Sequence, residues 1–242
     1  FATSLVVTRV FGEKPPKIQD NGVRQQVPPA TSNSLPVVYG DAYLGGTFVD
    51  AVLSENQKKY YDTLSGNQIT ICSGPAGVGK SYIAMKCAVD LLSDPATPYE
   101  KIIIVRPAVE AEEKLGSLPG NVEEKLDPYI FPSYYLMNKL IGKETRETLK
   151  NYDIIEVFAL AYMRGMNIDN SILIFEEAQN STPSQMKLLL TRIGFNSKFF
   201  ISGDLEQFDR HKDKTQTGLW DVLHKFEDIE DVGIFEFKPY DV

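Results

Sequence analysis

The chain has 242 residues, a formal net charge of −8 and 43% hydrophobic residues, enough apolar material for one sizeable packed core. No run of about eighteen uncharged apolar residues occurs, so a membrane-spanning helix is not expected. The acidic balance argues against a surface coated for nonspecific nucleic-acid binding, because phosphate backbones reward clustered Lys and Arg.

The opening residues Phe1-Ala2-Thr3-Ser4-Leu5 lack the basic flank and cleavage site of a signal peptide, and the expected location is cytoplasmic. From residue 1 to 46 the chain is rich in Pro, Gly, Gln, Asn and Ser, with Pro15-Pro16 and Pro28-Pro29. No helix or strand period survives there, and the segment reads as an extended arm. Residues 47–242 read as a single α/β domain in which short β-rich runs alternate with helical stretches, the sign of a mostly parallel sheet flanked by helices.

Strands are expected at Gln68 to Cys72, Lys101 to Val105, Ile154 to Phe158, Ser171 to Phe175, Lys198 to Ser202 and Gly233 to Phe237. Helices are expected at Lys80 to Leu92 and Pro183 to Ile193, with a short one after Leu53 and a helical insertion over 111–150. Cys72 and Cys87 fall in the first strand and the helix after it, where a small buried hydrophobe suits the packing better than a disulfide.

Gly74-Pro75-Ala76-Gly77-Val78-Gly79-Lys80-Ser81 follows one of these β-rich runs and opens a helical pattern, the context in which G-x-x-x-x-G-K-S is a phosphate-binding loop. Its glycines let successive N–H groups point inward at a helix N-terminus, forming an anion nest for ATP phosphates. Lys80 is expected to bridge the terminal phosphates. The Ser81 hydroxyl, followed by Tyr82, is placed to ligate magnesium, which takes hard oxygen donors.

Further on, Ile172-Leu173-Ile174-Phe175 delivers Glu176 and Glu177 to the carboxyl edge of the sheet, where ligands of open α/β sheets bind. The first carboxylate can hold magnesium, directly or through water, and the second can polarise the attacking water. Phe199-Phe200-Ile201-Ser202-Gly203-Asp204 is a similar strand with Gln207 beyond it, a residue able to sense the γ-phosphate. Gln57 could read an adenine edge, or simply cap its helix. Lys187, Arg192 and Lys198, then Arg210, His211, Lys212 and Lys214, are the clusters from which a local basic track could form; each alone also reads as solvated surface.

Several blocks together resemble the PhoH family of phosphate-starvation-inducible proteins, in particular its short forms such as those carried by bacteriophages. They are Leu53 to Gln57, Gly74 to Ser81, Arg106-Pro107-Ala108-Val109-Glu110-Ala111, Leu118-Pro119-Gly120, Ala161-Tyr162-Met163-Arg164-Gly165, Glu177-Ala178-Gln179-Asn180 and Ser202-Gly203-Asp204. The resemblance covers about 53–242. It implies a RecA-like core related to helicases, ATPase activity, a role on single-stranded RNA or DNA, and a homo-oligomer such as a hexameric ring.

Carried over by position, it implies adenine recognition by Gln57, phosphate and magnesium binding by Lys80 and Ser81, water activation by Glu177 and γ-phosphate sensing by Gln207. Arg106, Arg164 and Arg192 become candidate phosphate or interface arginines, one of which could serve a neighbouring subunit's nucleotide. Glu176 departs from the family's Asp, and its extra methylene is expected to slow hydrolysis. The family also continues through a basic stretch with Arg and His, so functions resting on that stretch lie outside this sequence. A small-molecule P-loop kinase would need an Arg-rich lid, and no compact Arg cluster lies between Asp204 and Val242.

Overall fold

A computed structural model describes residues 53–107, 122–207 and 213–241, with residues 122–129 described as helical backbone only. The expected arm, residues 111–121, and Arg210, His211 and Lys212 lie outside the described residues. The helices are α1 (Glu55–Gly66), α2 (Lys80–Ser93), α3 (Val122–Ile141), α4 (Lys143–Asn151), α5 (Pro183–Leu190) and α6 (Gly218–Lys225). The strands are β1 (Ile69–Ser73), β2 (Lys101–Arg106), β3 (Ile155–Ala159), β4 (Ser171–Phe175), β5 (Lys198–Gly203) and β6 (Val232–Glu236).

All six strands are parallel, in the order β3-β2-β4-β5-β1-β6. Every strand expected from the sequence is present, with its ends moved by at most a residue. The arrangement is that of a RecA-like P-loop NTPase: β5 lies between the strand that feeds the glycine-rich loop and the strand that carries the acidic pair.

The strands are near-continuous apolar runs because both faces are covered. Thr70 and Cys72 of β1, Ile102 and Ile104 of β2, Ile172 and Ile174 of β4 and Phe200 of β5 face one side; all but Thr70 join the core that α1, α2 and α3 close. Their strand neighbours Ile69, Ile71, Ile103, Val105, Leu173, Phe175, Phe199 and Ile201 face the other, against α5 and α6. Period-two alternation thus supplies two cores from one set of strands. Each fully buried large side chain contributes about 1.5–3 kcal/mol.

Helix ends follow local chemistry. Ser54 and Gln57 form a capping box at α1, and Thr182 with Gln185 forms one at α5, whose first residue is Pro183. Thr217 caps α6 by accepting from the Trp220 N–H. At the other end of α1 the Lys198 ammonium, on a side chain only 8% exposed, donates to the carbonyls of Ser65 at 2.8 Å and Asn67 at 2.5 Å. Lys198 is therefore a helix-end partner rather than part of a basic surface, and burial lowers its pKa. Among the described residues no helix is long and apolar enough to cross a membrane.

Candidate functional site

The carboxyl ends of β1, β4 and β5 open onto a cavity of about 290 Å³. Ala76, Gly77, Gly79, Lys80, Ser81 and Tyr82 form one wall. Glu177, Ser202, Gly203, Asp204 and Gln207 form the facing wall, and Leu136 of α3 closes a side. The glycine-rich loop is shaped by backbone that only glycine adopts freely: Gly79 stands at φ 94°, and a Cβ there would meet Gln57 Nε2 at 3.1 Å. Gly74 N–H donates to the Gly203 carbonyl at 3.2 Å, joining the loop to the end of β5.

Lys80 lies inside this loop, its ammonium donating to the Gly74 carbonyl at 2.6 Å and the Pro75 carbonyl at 2.7 Å. An ammonium has a third proton, which these two bonds leave for a ligand. Burial lowers the Lys80 pKa, opposed by the negative charges of Asp204 and Glu177 across the cavity. Val78 points its side chain into the core and gives its carbonyl to Gln57 Nε2 at 2.9 Å, while Gln57 Oε1 accepts from the Ser54 N–H. Gln57 thus fastens the start of α1 to the loop and lies outside the cavity lining, so adenine reading would have to share an amide already bonded on both ends.

Glu177 is held at φ 55°, a left-handed conformation costly for a residue with a side chain, and it turns its carboxylate toward the cavity. Gln179 holds it there. Its Nε2 donates to Glu177 Oε2 at 2.7 Å, and its Oε1 accepts from the Asp204 N–H at 3.1 Å. Gln179 is 2% exposed, and a Cβ on Gly203 would come within 2.4 Å of its amide oxygen, so β5 needs glycine where Gln179 crosses.

The metal role expected of Glu176 does not agree with its placement. Glu176 is 1% exposed and absent from the cavity lining. Its Oε2 accepts from Arg106 Nε at 3.1 Å, Arg106 Nη2 at 2.9 Å and the Ser133 hydroxyl at 2.6 Å. Oε1 is buried with no partner. The sharp turn at Glu177 sends the two carboxylates opposite ways, and the longer arm of Glu reaches Arg106 on the neighbouring strand. Hard oxygen donors suited to magnesium still converge on the loop, from Ser81, Glu177 and Asp204.

The three expected arginines stand outside the cavity lining. Arg106 is bound to Glu176. Arg192 reaches the Met166 carbonyl at 3.3 Å and the Thr191 hydroxyl at 3.2 Å, with its Nε buried and unpartnered. Arg164 is exposed after the 3-10 turn Leu160–Met163. The sequence did not single out Gln179, Asp204, Ser133 or Leu136 as site residues. Gln179 and Asp204 adjoin recognised motifs and could have been found there; Ser133 and Leu136 arrive from the insertion and carry no local signal.

Residues 51–242 match the PhoH family, described as PhoH-like protein. The chain is 43% identical over 187 residues to a PhoH-like protein of Mycobacterium tuberculosis (strain ATCC 25618 / H37Rv), covering 77% of this chain and 52% of that protein. It is 41% identical over 191 residues to a PhoH-like protein of Bacillus subtilis, covering 79% and 59%. With Protein PhoH of Escherichia coli (strain K12) the identity is 36% over 190 residues, covering 78% and 53%. The chain thus spans between about half and three-fifths of these relatives. Among solved structures it is similar to the large terminase from a thermophilic bacteriophage in complex with ADP, at 13% identity and a TM-score of 0.44, covering 78% of this chain and 46% of that one. With the family match extending from residue 51 through the loop, the acidic pair and all six strands, the chain belongs to the PhoH-like proteins.

Proposed function

We propose that this chain binds ATP with magnesium in the cavity, hydrolyses it, and couples hydrolysis to work on single-stranded RNA as a homo-oligomer. The observation that carries the hydrolytic part is convergence: the phosphate-binding loop, Glu177, Asp204 and Gln207 all line one cavity. Backbone N–H groups and Lys80 hold the phosphates, Lys80 giving a phosphate oxygen the ammonium proton that its two loop carbonyls leave over.

Glu177 has one oxygen fixed by Gln179, which leaves Oε1 to accept the proton of an attacking water. Gln207 donates toward the γ-phosphate. Ser81 and Asp204 would hold magnesium, which supplies charge neutralisation on the phosphate oxygens. Of the three candidate arginines Arg164 is the exposed one, and it is assigned to act on a neighbouring subunit.

A second reading is a slow nucleotide-dependent assembly switch. It is favoured by one observation, the engagement of Glu176 with Arg106 and Ser133 rather than with the cavity. Steady-state phosphate release tests both. Lys80→Ala is expected to lower it by on the order of a hundredfold or more, and chelating magnesium to abolish it. Unchanged release in Lys80→Ala removes the assigned site. Stimulation of turnover by single-stranded RNA favours the first reading, and measurable release that ignores RNA favours the second.

A further inference from the structure

We propose that the outer face of α3 is a stacking platform for the bases of a single-stranded nucleic acid, rigidly joined through the same helix to the nucleotide cavity. The proposal rests on the nucleic-acid part of the reading above and gives it a place on the molecule.

Phe131 and Tyr135 sit one helical turn apart and are 67% and 49% exposed. Their rings stack on each other with centroids 6.4 Å apart and an interplanar angle of 23°. One turn further on, the exposed Lys139 places its ammonium 4.7 Å from the Tyr135 ring centroid. Single exposed aromatics are ordinary. Two rings and a cation aligned at i, i+4 and i+8 make a strip about 12 Å long, in which a base can extend the existing stack, most openly at Phe131, and Lys139 gives a positive end to the phosphate beyond it.

The charge around the strip suits that occupant. The carboxylates of α3, Glu123, Glu124 and Asp127, all precede the rings; from Ile130 to Gly142 there is no acidic residue, and α4 adds Lys143, Arg146 and Lys150 against Glu144 and Glu147. Arg146 is buried and occupied with Asn138 and Glu147, leaving the lysines as the outward cations. This local excess of positive charge occurs in a chain of net charge −8. It also differs from the track the sequence suggested, which loses Lys198 to the end of α1 and Arg192 to the Met166 carbonyl.

The inner side of the same helix faces the site. Ser133 donates to Glu176, Leu136 lines the cavity, and Met137, Leu140 and Ile141 are packed in the core with α2, the helix that begins at Lys80. Residues 131, 133, 135 and 136 belong to about one and a half turns, so a strand seated on the rings bears on the elements that hold Glu176 and the cavity wall. Occupation of one side is thereby felt on the other.

The test is a fluorescence-anisotropy titration of a labelled single-stranded RNA of about twelve nucleotides, a length within the usual site sizes. Phe131→Ala/Tyr135→Ala is expected to raise Kd by about tenfold or more, with an unchanged thermal midpoint, unchanged phosphate release without RNA, and loss of RNA-stimulated release. Tyr135→Phe is expected to bind as the parent does, since the ring rather than the hydroxyl is used. Lys139→Ala is expected to reduce the salt slope by about one. An unchanged Kd in the double variant, with the parent binding RNA, overturns the platform alone. A parent that binds no single strand removes the nucleic-acid reading itself. A double variant that binds RNA normally but changes mass in solution assigns the rings to a second copy of the chain and also overturns the platform.

Discussion

Glu176 and Glu177 are consecutive in the chain and occupy opposite environments. Glu176 is buried, with one oxygen shared by Arg106 and Ser133. Glu177, one residue later and in a left-handed turn, is exposed at the cavity, with Gln179 holding one oxygen. The same side chain thus has two roles fixed by what surrounds it: the first ties β4 to β2 and α3, and the second is available to water. Side-chain chemistry alone could not divide these roles; the turn between them does.

Substitutions that neutralise each carboxylate without changing its shape should separate the two most sharply. Glu177→Gln is expected to lower phosphate release by about a hundred- to ten-thousandfold, the range typical of a lost general base, while nucleotide binding measured by anisotropy stays within a few-fold. Glu176→Gln is expected instead to lower the thermal midpoint, because it removes the charge of a carboxylate whose buried oxygen accepts from Arg106 and Ser133. A Glu176→Gln protein that melts normally but has lost turnover to the same degree as Glu177→Gln would break the division.

The Arg106 pair sharpens the comparison from the other side. Removing one partner of a buried ion pair typically costs about 3–5 kcal/mol, whereas replacing both with apolar groups of similar volume is often neutral. Arg106→Ala should therefore unfold at markedly lower urea than the parent, and Arg106→Met/Glu176→Met should recover most of the loss. If the double variant is no better than the single, the pair is not what makes Arg106 matter.

The sheet was legible in the sequence because β-rich apolar runs such as Ile102-Ile103-Ile104 and Phe199-Phe200-Ile201 can be buried on both faces only in a covered parallel sheet. The loop was legible because its chemistry is local: glycines, Lys80 and Ser81 adjoin one another. The final helix, α6, was missed; at eight residues it gives too few turns for a periodic pattern, and its start depends on the Thr217 cap. The partner of Glu176 was also hidden, since Arg106 lies on another strand and Ser133 on the insertion, and no spacing along the chain predicts their meeting. Gln57 shows the converse, an amide open to two roles in the sequence, of which the structure forms the cap and adds a bond to the Val78 carbonyl that no local signal announced.

A smaller effect is expected at Gln179, which stands behind Glu177 rather than at the reacting atoms. Gln179→Leu removes both the bond to Glu177 Oε2 and the one from the Asp204 N–H while keeping most of the volume. Loss of orientation of this kind should lower kcat by about tenfold with KM nearly unchanged. A fall in KM-limited binding with kcat preserved would assign Gln179 to ligand contact instead.

The effects furthest from turnover should come from groups whose shifts burial leads, away from the division between the two glutamates. Burial pushes the thiols of Cys72 and Cys87 up to about 12, from 9.0 in the unfolded chain. Their folded pKa is raised, so the stability they contribute is complete below pH 9.0 and is lost as pH rises toward 12. Burial lowers Lys80 and Lys198 from 10.5, which acts in the opposite direction: below 10.5 the unfolded chain holds these protons more tightly, and stability grows with pH through that window. The raised thiols act together with the raised Tyr60 and Tyr61 hydroxyls and should prevail, giving a thermal midpoint that declines above pH 9.0 and declines less in Cys87→Ala. The same burial predicts that a thiol reagent at about pH 8, below the unperturbed thiol range, modifies neither cysteine until the protein is unfolded; rapid reaction of Cys72 in the folded protein would place the end of β1, and with it the start of the phosphate-binding loop, in contact with solvent.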